Sequence, residues 1–178
     1  MDPLRKYDIN YVGLKEKVHE FDYEVDDKFF ELFSDPLIKN ADLQVKLRFD
    51  RRTSFFILDF NLNGKVHSPC DRCGAEIDYP VDSDYNIVVK FDEHREEAND
   101  DSMADVVYIS RNDSHINVAQ LIYEFISLSV PINHVNCDNL RGPKPCNFEV
   151  LEKLEHQHEE EEKTTDHRWD DLAKIKFN

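Results

Sequence analysis

The chain has 178 residues, and its 38 aspartates and glutamates outnumber its 22 lysines and arginines, which gives a formal net charge of -16. Proteins that hold nucleic acid by neutralising phosphates usually carry a net positive charge or a concentrated basic face. The charge therefore argues against tight RNA binding by the chain alone and favours a basic protein partner or a locally basic patch. No apolar run is long enough to span a bilayer or to form a signal peptide, so we expect a cytoplasmic protein without a membrane segment.

Alternating apolar and polar residues predict several strands in the first third of the chain. The alternation is clear at residues 21–25 and 43–49, and a short helix is predicted between them at residues 26–33. Residues 55–60 are apolar on both faces, which is typical of a central strand. The sequence Asn-Leu-Asn-Gly at residues 61–64 is predicted to end that strand.

The middle of the chain repeats the strand pattern. Further strands are predicted at residues 77–81, 85–91 and 106–109, where apolar side chains recur at every second position or form a short apolar run. Residues 92–105 are strongly acidic, and we interpret them as a solvated surface loop. We expect these strands to form a mostly antiparallel sheet.

One segment has the spacing of an amphipathic helix, with Asn117 or Ser114 as its predicted cap. Its apolar face consists of Val118, Leu121, Ile122, Phe125 and Ile126. Together the patterns predict an α+β fold, with a mostly antiparallel β-sheet and one main amphipathic helix, to which the cysteine-bearing loops of the chain (Cys70 with Cys73, and Cys137 with Cys146) add a two-loop site of the zinc type.

The composition changes near the C-terminal end. Residues 148–154 are predicted to form one or two helical turns, and the glutamate-rich stretch after them predicts a polar linker. The last residues regain apolar content, including the single tryptophan, which is typical of a terminal element that docks on its own domain. We therefore predict a single β-rich domain over 1–154 with cysteine loops at 68–74 and 137–146, an acidic linker over 155–165, and a C-terminal element over 166–178.

The four cysteines lie in two loops. Cys70 and Cys73 are separated by two residues and followed by Gly74, which is the spacing of a metal-binding knuckle. Cys137 and Cys146 are separated by eight residues that include glycine and prolines. If the two loops meet, the four thiolates form a closed site that suits structural zinc. The chain shows no secretion signal, and this favours metal over disulfides.

Two other interpretations of the cysteines stay open at this point. A thioredoxin-like redox pair also has two intervening residues, but its second cysteine leads into a helix, whereas a strand is predicted here. The cysteines can also be free buried thiols. His67 and His134 each precede a cysteine by three residues, so either can replace or orient a thiolate ligand, or simply be a polar loop histidine.

The remaining motifs argue against an enzyme. The sequence has no zincin-type histidine spacing, no glycine-rich nucleotide-binding motif and no nucleophile elbow, and it has only four glycines. We therefore predict no catalytic residues and no small-molecule substrate.

Basic residues gather in two places, although the chain is acidic. The four near the cysteine loops are Lys65, Arg72, Arg141 and Lys144. If the loops share one metal, these four cations converge on its rim and can contact RNA or a partner, or they are a solvated surface. The second group is Lys46, Arg48, Arg51 and Arg52. It lies at a predicted hairpin, and we interpret it as a solvated surface.

Three stretches, taken in order, resemble the YceD-like family of large ribosomal RNA subunit accumulation proteins. Cys70-Asp-Arg-Cys73 is similar to the C-x-R-C motif of that family. Residues 116–131 are similar to its helix, with the acidic residue at Glu124, and residues 166–172 are similar to its closing D-P-R-W-x-x-L. The second cysteine loop departs from the family pattern, because Lys144-Pro-Cys146-Asn stands where many members have C-P-x-C-G.

The resemblance implies a bacterial cytoplasmic protein, or an organelle descendant, that is needed for normal levels of 23S ribosomal RNA. It implies a non-enzymatic factor whose partner is the precursor of the large ribosomal subunit, reached through a ribosomal or assembly protein with 23S RNA as a further contact. Two alternatives remain: a metal-stapled protein-interaction module unrelated to RNA, and a nuclease or redox enzyme that acts on ribosomal precursors.

Overall fold

The fold is built around a five-stranded sheet. The structure is a computed structural model, and it describes residues 3–34, 38, 40–91, 105–131, 137, 140 and 142–161. Side by side, its strands are β2 (Val18–Val25), β3 (Asn40–Arg51), β4 (Phe55–Pro69), β5 (Glu76–Phe91) and β6 (Val106–Ile109). The β2–β3 and β3–β4 pairs are antiparallel, whereas β6 joins β5 in parallel.

Smaller elements complete the described part of the chain. A two-stranded ribbon pairs β1 (Asp8–Ile9) with β7 (Ile116–Asn117), and a 3-10 turn at Pro3–Tyr7 precedes it. The helices are α1 (Asp27–Phe30), α2 (Ala119–Ser129) and α3 (Phe148–Glu161). The predicted α+β fold with a mostly antiparallel sheet is confirmed. Among the residues described, no helix combines the length and the apolar content that a membrane crossing requires.

The chain divides into two compact units, which we describe separately. The sheet unit comprises Met1–Ser68 and Asp78–Val135, and the cysteine unit comprises Pro69–Ile77 and Asn136–Asn178. α3 runs through Glu161 and so includes the first seven residues of the predicted acidic linker. Residues 92–104 and 162–178 lie outside the described residues. The division into a domain, a linker and a terminal element therefore stays a prediction.

The core of the sheet unit follows from the alternation in its strands. On β3 and on β4 as far as Leu62 every second residue is buried, and the register places Leu47 opposite Phe60. α2 packs on this face through Phe125, whose ring centroid lies 5.1 Å from that of Phe60 and 4.4 Å from that of Tyr85. Leu121, which the helical pattern placed on the same face, is only partly buried.

The predicted strand break at residues 61–64 is wrong, because β4 continues to Pro69. Gly64 lies within the strand, opposite Leu43, with a φ of 150° that side chains rarely adopt. A Cβ atom at this position would lie 2.2 Å from the carbonyl oxygen of Asp42. The glycine therefore permits a close approach of β3 instead of ending the strand.

Two further boundaries differ from the pattern-based prediction. The strands expected at 77–81 and 85–91 are one strand, β5, because exposed Asp82 and Asp84 between them keep the alternation in step. α2 begins at Ala119, with Val118 at the capping position. The Asn117 side chain still acts at this end, since its Oδ1 accepts the Ala119 N–H at 3.0 Å.

Candidate metal centre

The loop between β4 and β5 closes into a knuckle within the cysteine unit. The Cys70 N–H donates to the Ala75 carbonyl oxygen and the Gly74 N–H donates to the Cys70 carbonyl oxygen, each at 2.8 Å. Gly74 has a φ of 67°, in the left-handed region that glycine enters without strain. The predicted turn around Cys70 and Cys73 is therefore formed by backbone hydrogen bonds.

Three sulfur atoms meet at this knuckle. The Sγ atoms of Cys70, Cys73 and Cys137 all lie within 4.8 Å of one another, and all three residues are buried. The Cys73 and Cys137 sulfurs are 3.7 Å apart, and the cysteines are free thiols. Sulfurs that bind one zinc ion at about 2.3 Å in a tetrahedron are roughly 3.8 Å apart. The spacing of this pair therefore fits a shared metal ion, and the three residues are a donor set of the right chemistry.

The fourth cysteine lies beside this cluster. Cys146 is half-buried, and its thiol hydrogen-bonds with that of Cys137, but it is not one of the three mutually close sulfurs. The next residue reaches the cluster, because the Asn147 N–H donates to the Cys73 sulfur at 3.5 Å. Ligation of one ion by all four cysteines stays a prediction.

The electrostatics of the cluster favour a cation. Burial raises the pKa of the Cys70 thiol, but hydrogen bonds with the backbone of Cys73, Arg72 and Cys137 outweigh burial, and the pKa falls to about 7. Burial raises the pKa of Cys137 to about 12, with contributions from the three other cysteine thiols. The arrangement thus favours the thiolate form of Cys70 and disfavours a second thiolate beside it at Cys137. A divalent cation removes that opposition, because it favours the deprotonated form of every thiol that it binds.

Sequence reasoning missed the part that Asn147 plays. Its Oδ1 accepts the Val150 N–H at 3.4 Å, so the side chain caps the first turn of α3 while the backbone amide faces Cys73. An asparagine directly before an apolar run is a signal for a helix start, and here that signal follows Cys146 at once. The residue that caps α3 therefore also donates a backbone hydrogen bond to the Cys73 sulfur.

Of the four predicted rim cations, two lie in the described part of the cysteine unit. Arg72 and Lys144 are exposed in the cysteine unit, and Arg141 lies outside the described residues. Lys65 belongs to the sheet unit, where its Nζ donates to Asp78 at 2.8 Å. Their convergence stays a prediction.

The two histidines proposed as substitute ligands have separate outcomes. In the sheet unit, His67 Nδ1 lies 2.6 Å from Asp78 Oδ1, and His67 is not part of the sulfur cluster. Hydrogen bonds from Lys65 and His67 lower the pKa of the Asp78 carboxyl. His134 lies outside the described residues. The structure thus gives His67 a carboxylate partner.

A match to a protein-family model over the last two thirds of the chain identifies its family. Residues 58–176 match the family model described as large ribosomal RNA subunit accumulation protein YceD, and this segment contains all four cysteines and α2. No curated protein and no solved structure gives a significant match. Because the match extends over more than half of the chain, the protein belongs to the YceD family of large ribosomal RNA subunit accumulation proteins, whose name points to a role in the accumulation of large-subunit ribosomal RNA.

Proposed function

We propose that this protein is a non-enzymatic, cytoplasmic factor in the biogenesis of the large ribosomal subunit, and that it supports the accumulation of 23S ribosomal RNA. The observation that carries the proposal is the family match over residues 58–176, because the family is named for this role. In this proposal the protein acts by binding a precursor and needs no reacting group of its own. The absence of a recognisable catalytic motif in the sequence agrees with such a role.

We further propose that Cys70, Cys73, Cys137 and Cys146 hold a structural zinc ion. A donor set of thiols alone, without a position left open for water or substrate, is the chemistry of structural zinc sites. The burial of the first three cysteines supports this proposal over redox exchange. Exchange requires that the attacking sulfur be reached by another thiol, whereas Cys70 is 3% exposed and Cys73 is 1% exposed.

Recruitment to the precursor is proposed to depend on a basic ribosomal or assembly protein. The net charge of -16 opposes association with free RNA and favours a partner of opposite charge. The tentative RNA or partner contacts are Lys65, Arg72, Arg141 and Lys144. Arg72 and Lys144 support this part of the proposal, since both are exposed in the unit that carries the cysteines.

A deletion strain tests the main proposal. Cells without the protein are expected to show a lower ratio of 23S to 16S RNA and a deficit of large subunits in sucrose gradients. The wild-type chain should restore both, whereas a chain with the four tentative contacts changed to glutamate should fail to sediment with large-subunit precursors. The matched control changes four exposed lysines elsewhere, Lys15, Lys28, Lys46 and Lys153, to glutamate. It has the same net charge and should sediment normally.

Two outcomes would contradict these proposals separately. An unchanged RNA ratio in the deletion strain would remove the biogenesis role. Elemental analysis of the purified protein should find about one zinc ion per chain. A metal-free protein that is folded and active would remove the zinc proposal and leave the biogenesis role intact.

A further inference from the structure

A cavity of about 580 Å³ opens beside the β3–β4 hairpin of the sheet unit. Its charged lining consists of Lys17, Arg48, Arg51 and Arg52 with Glu16 and Asp50. The hydroxyl-bearing residues Thr53 and Ser54 also line it. We call this space the hairpin cavity. It concentrates four cations in a chain whose net charge is strongly negative.

Two of these arginines are held in place by the fold. Arg52 donates to Asp50 Oδ2 from Nε at 3.0 Å and from Nη2 at 2.6 Å, and Asp50 is itself buried. Arg51 Nη1 donates to the Leu14 carbonyl oxygen. Because a guanidinium fixed at one edge loses little freedom when its other donors bind, both side chains are preorganised for an anion.

One donor of this pair has no acceptor. Arg51 Nε is buried and is without a hydrogen-bond partner among the described residues. A buried, unpaired N–H is unfavourable, and a shift of the Arg51 side chain toward an oxyanion in the cavity would give this N–H the acceptor that it lacks. We therefore expect the Arg51 guanidinium to be the main hydrogen-bond donor to the ligand.

The charge balance of the cavity is positive. Arg52 is neutralised by Asp50, and Arg48 by Asp59 at 2.7 Å. This leaves Lys17 and Arg51 against one carboxylate, Glu16, which already accepts the Thr53 hydroxyl at 3.2 Å. Within the described residues, Lys17 forms no salt bridge. An anionic ligand restores the balance.

A second space on the same unit has the opposite character. The transverse groove, of about 600 Å³, crosses β2 to β5 and is lined by Glu20, Asp22, Asp59 and Asp84 with Lys46 and Arg48. Its carboxylates outnumber its cations, so it should not hold an anion. Lys46 is exposed and lines this groove but not the hairpin cavity, although it lies on the same strand as Arg51. It is therefore a matched control position.

We infer that the hairpin cavity is a binding site for a phosphodiester group of RNA, held by Arg51 and Lys17. All the residues that line it precede the segment that matches the family model, so the family match does not assign the site. The choice of RNA over another phosphate source rests on the proposed function, because large-subunit precursors expose phosphodiesters throughout. One such site does not overcome the charge of the whole chain, and binding to RNA alone should be weak and sensitive to salt.

Nuclear magnetic resonance on the full, ¹⁵N-labelled chain tests the site. A short single-stranded RNA of generic sequence is titrated at about 50 mM salt, and the Arg51 Nε–H signal and the amide signals of residues 51–54 are followed. Lys17→Gln should weaken binding roughly fivefold to tenfold at this salt and lower the salt slope by about 0.7, the loss of one phosphate contact. Lys46→Gln, with the same charge change, should bind as the wild type does.

Arg51→Lys keeps the charge but loses the planar guanidinium group, so it should weaken RNA binding. If the lysine Nζ takes the place of Nη1 as donor to the Leu14 carbonyl oxygen, the melting temperature should stay near that of the wild type. If that variant does not fold, Lys17→Gln decides alone. Inorganic phosphate is titrated in parallel. Saturation by phosphate without any response to RNA would overturn the RNA assignment.

Absence of shifts at residues 51–54, or equal weakening by Lys17→Gln and Lys46→Gln, would overturn the site itself. These failures are distinct from failure of the proposed function. If the deletion strain lacks large subunits but the hairpin cavity does not respond to RNA, the proposed function is supported and the proposed RNA site is rejected. If RNA binds in the cavity but the deletion strain has normal subunit ratios, the reverse holds.

Discussion

The two units of this chain differ in what fills their interiors. The sheet unit buries aromatic and aliphatic side chains that touch one another, such as Phe49 and Phe56 with ring centroids 5.0 Å apart. In the described part of the cysteine unit, the buried residues are Cys70, Cys73, Ile77 and Cys137. Phe148 of the same unit is 75% exposed. Packing of apolar side chains stabilises the sheet unit, whereas the described part of the cysteine unit buries few apolar residues, which is why we propose that metal ligation holds its fold.

Metal removal should give the largest effect, and it should be confined to one unit. Binding of structural zinc contributes about 10–16 kcal/mol in small peptides, so a chelator is expected to unfold the cysteine unit. Hydrogen exchange measured by mass spectrometry should rise in residues 69–77 and 142–161 and stay slow in β3 and β4. Cys73→Ala should reproduce the change, and added zinc should reverse the effect of the chelator only. Unchanged exchange in residues 69–77 would show that metal does not stabilise the unit.

The counterpart in the sheet unit is Phe125→Ala. Phe125 is 6% exposed and packs on Phe60 and Tyr85, so its truncation should lower the free energy of unfolding by about 3–5 kcal/mol. Leu128→Ala on the same helix is the control, because Leu128 is 70% exposed and should change stability by less than about 0.5 kcal/mol. Urea unfolding gives both values. Loss of bound zinc in the Phe125→Ala protein under native conditions would contradict the separation of the two units.

Two of the glycines with a positive φ lie in different units, Gly64 in the sheet unit and Gly74 in the cysteine unit. Gly64→Ala should destabilise the sheet unit by about 2–4 kcal/mol, because the new Cβ meets backbone atoms of the paired strand. Gly74→Ala in the cysteine unit should cost about 1–2 kcal/mol, since its positive φ is strained but no atom lies within 4 Å of the new Cβ. Thermal unfolding with zinc present ranks the two variants. A larger loss of stability in Gly74→Ala than in Gly64→Ala would mean that a Cβ atom is tolerated less well at the knuckle than between the paired strands.

The smallest effect is expected from Asp78→Asn. Lys65 and His67 lower the pKa of Asp78, so the folded state favours its carboxylate. That stabilisation is complete above the ordinary pKa of about 4 and is lost as the pH falls through the lowered value. The effect should be slight, because the Asp78 side chain is 54% exposed.

The measurement for Asp78→Asn uses metal-free protein, which removes the pH dependence of thiol ligation. Its melting temperature should fall slightly below that of the wild type at pH 6, and the difference should shrink as the pH is lowered below the ordinary pKa of aspartate and vanish once the folded-state carboxyl is protonated. Asp82→Asn, at an exposed position on the same strand, is the control. A difference that grows as the pH falls would contradict the sign of the pKa shift.

The strands were predicted well where burial alone decides the pattern. β2 and β3 alternate in sequence because one face of each is in the core. On the first part of β4 burial also alternates, although residues 55–60 are apolar on both faces. The prediction failed at Gly64, because a glycine that ends a strand and a glycine that lets a neighbour approach look alike in sequence. The difference lies in the position of Asp42, which is set by pairing over a long distance in the chain.

The candidate site was predictable in the same uneven way. Cys70 and Cys73 were recognised from their spacing, which a single turn fixes. The approach of Cys137 was inferred only from residue type, because no local rule fixes where a distant loop will lie. α3 was predicted too short, since its many glutamates suggested a linker, whereas the first turn is held by a side-chain cap at Asn147.

The pairing of β1 with β7 has a consequence for synthesis of the chain. Asp8 lies opposite Asn117, and the Asn117 amide also donates to the Leu4 carbonyl oxygen at 2.9 Å, so the first residues made must wait for the middle of the chain before they can pair. Cys73 waits in the same way for Cys137, which lies 64 residues later. At about 5–20 residues per second, the ribosome leaves that thiol without its partner for roughly 3–13 seconds. The ribbon of the sheet unit can therefore pair only after residue 117 has been made, and the Cys73–Cys137 contact only after residue 137.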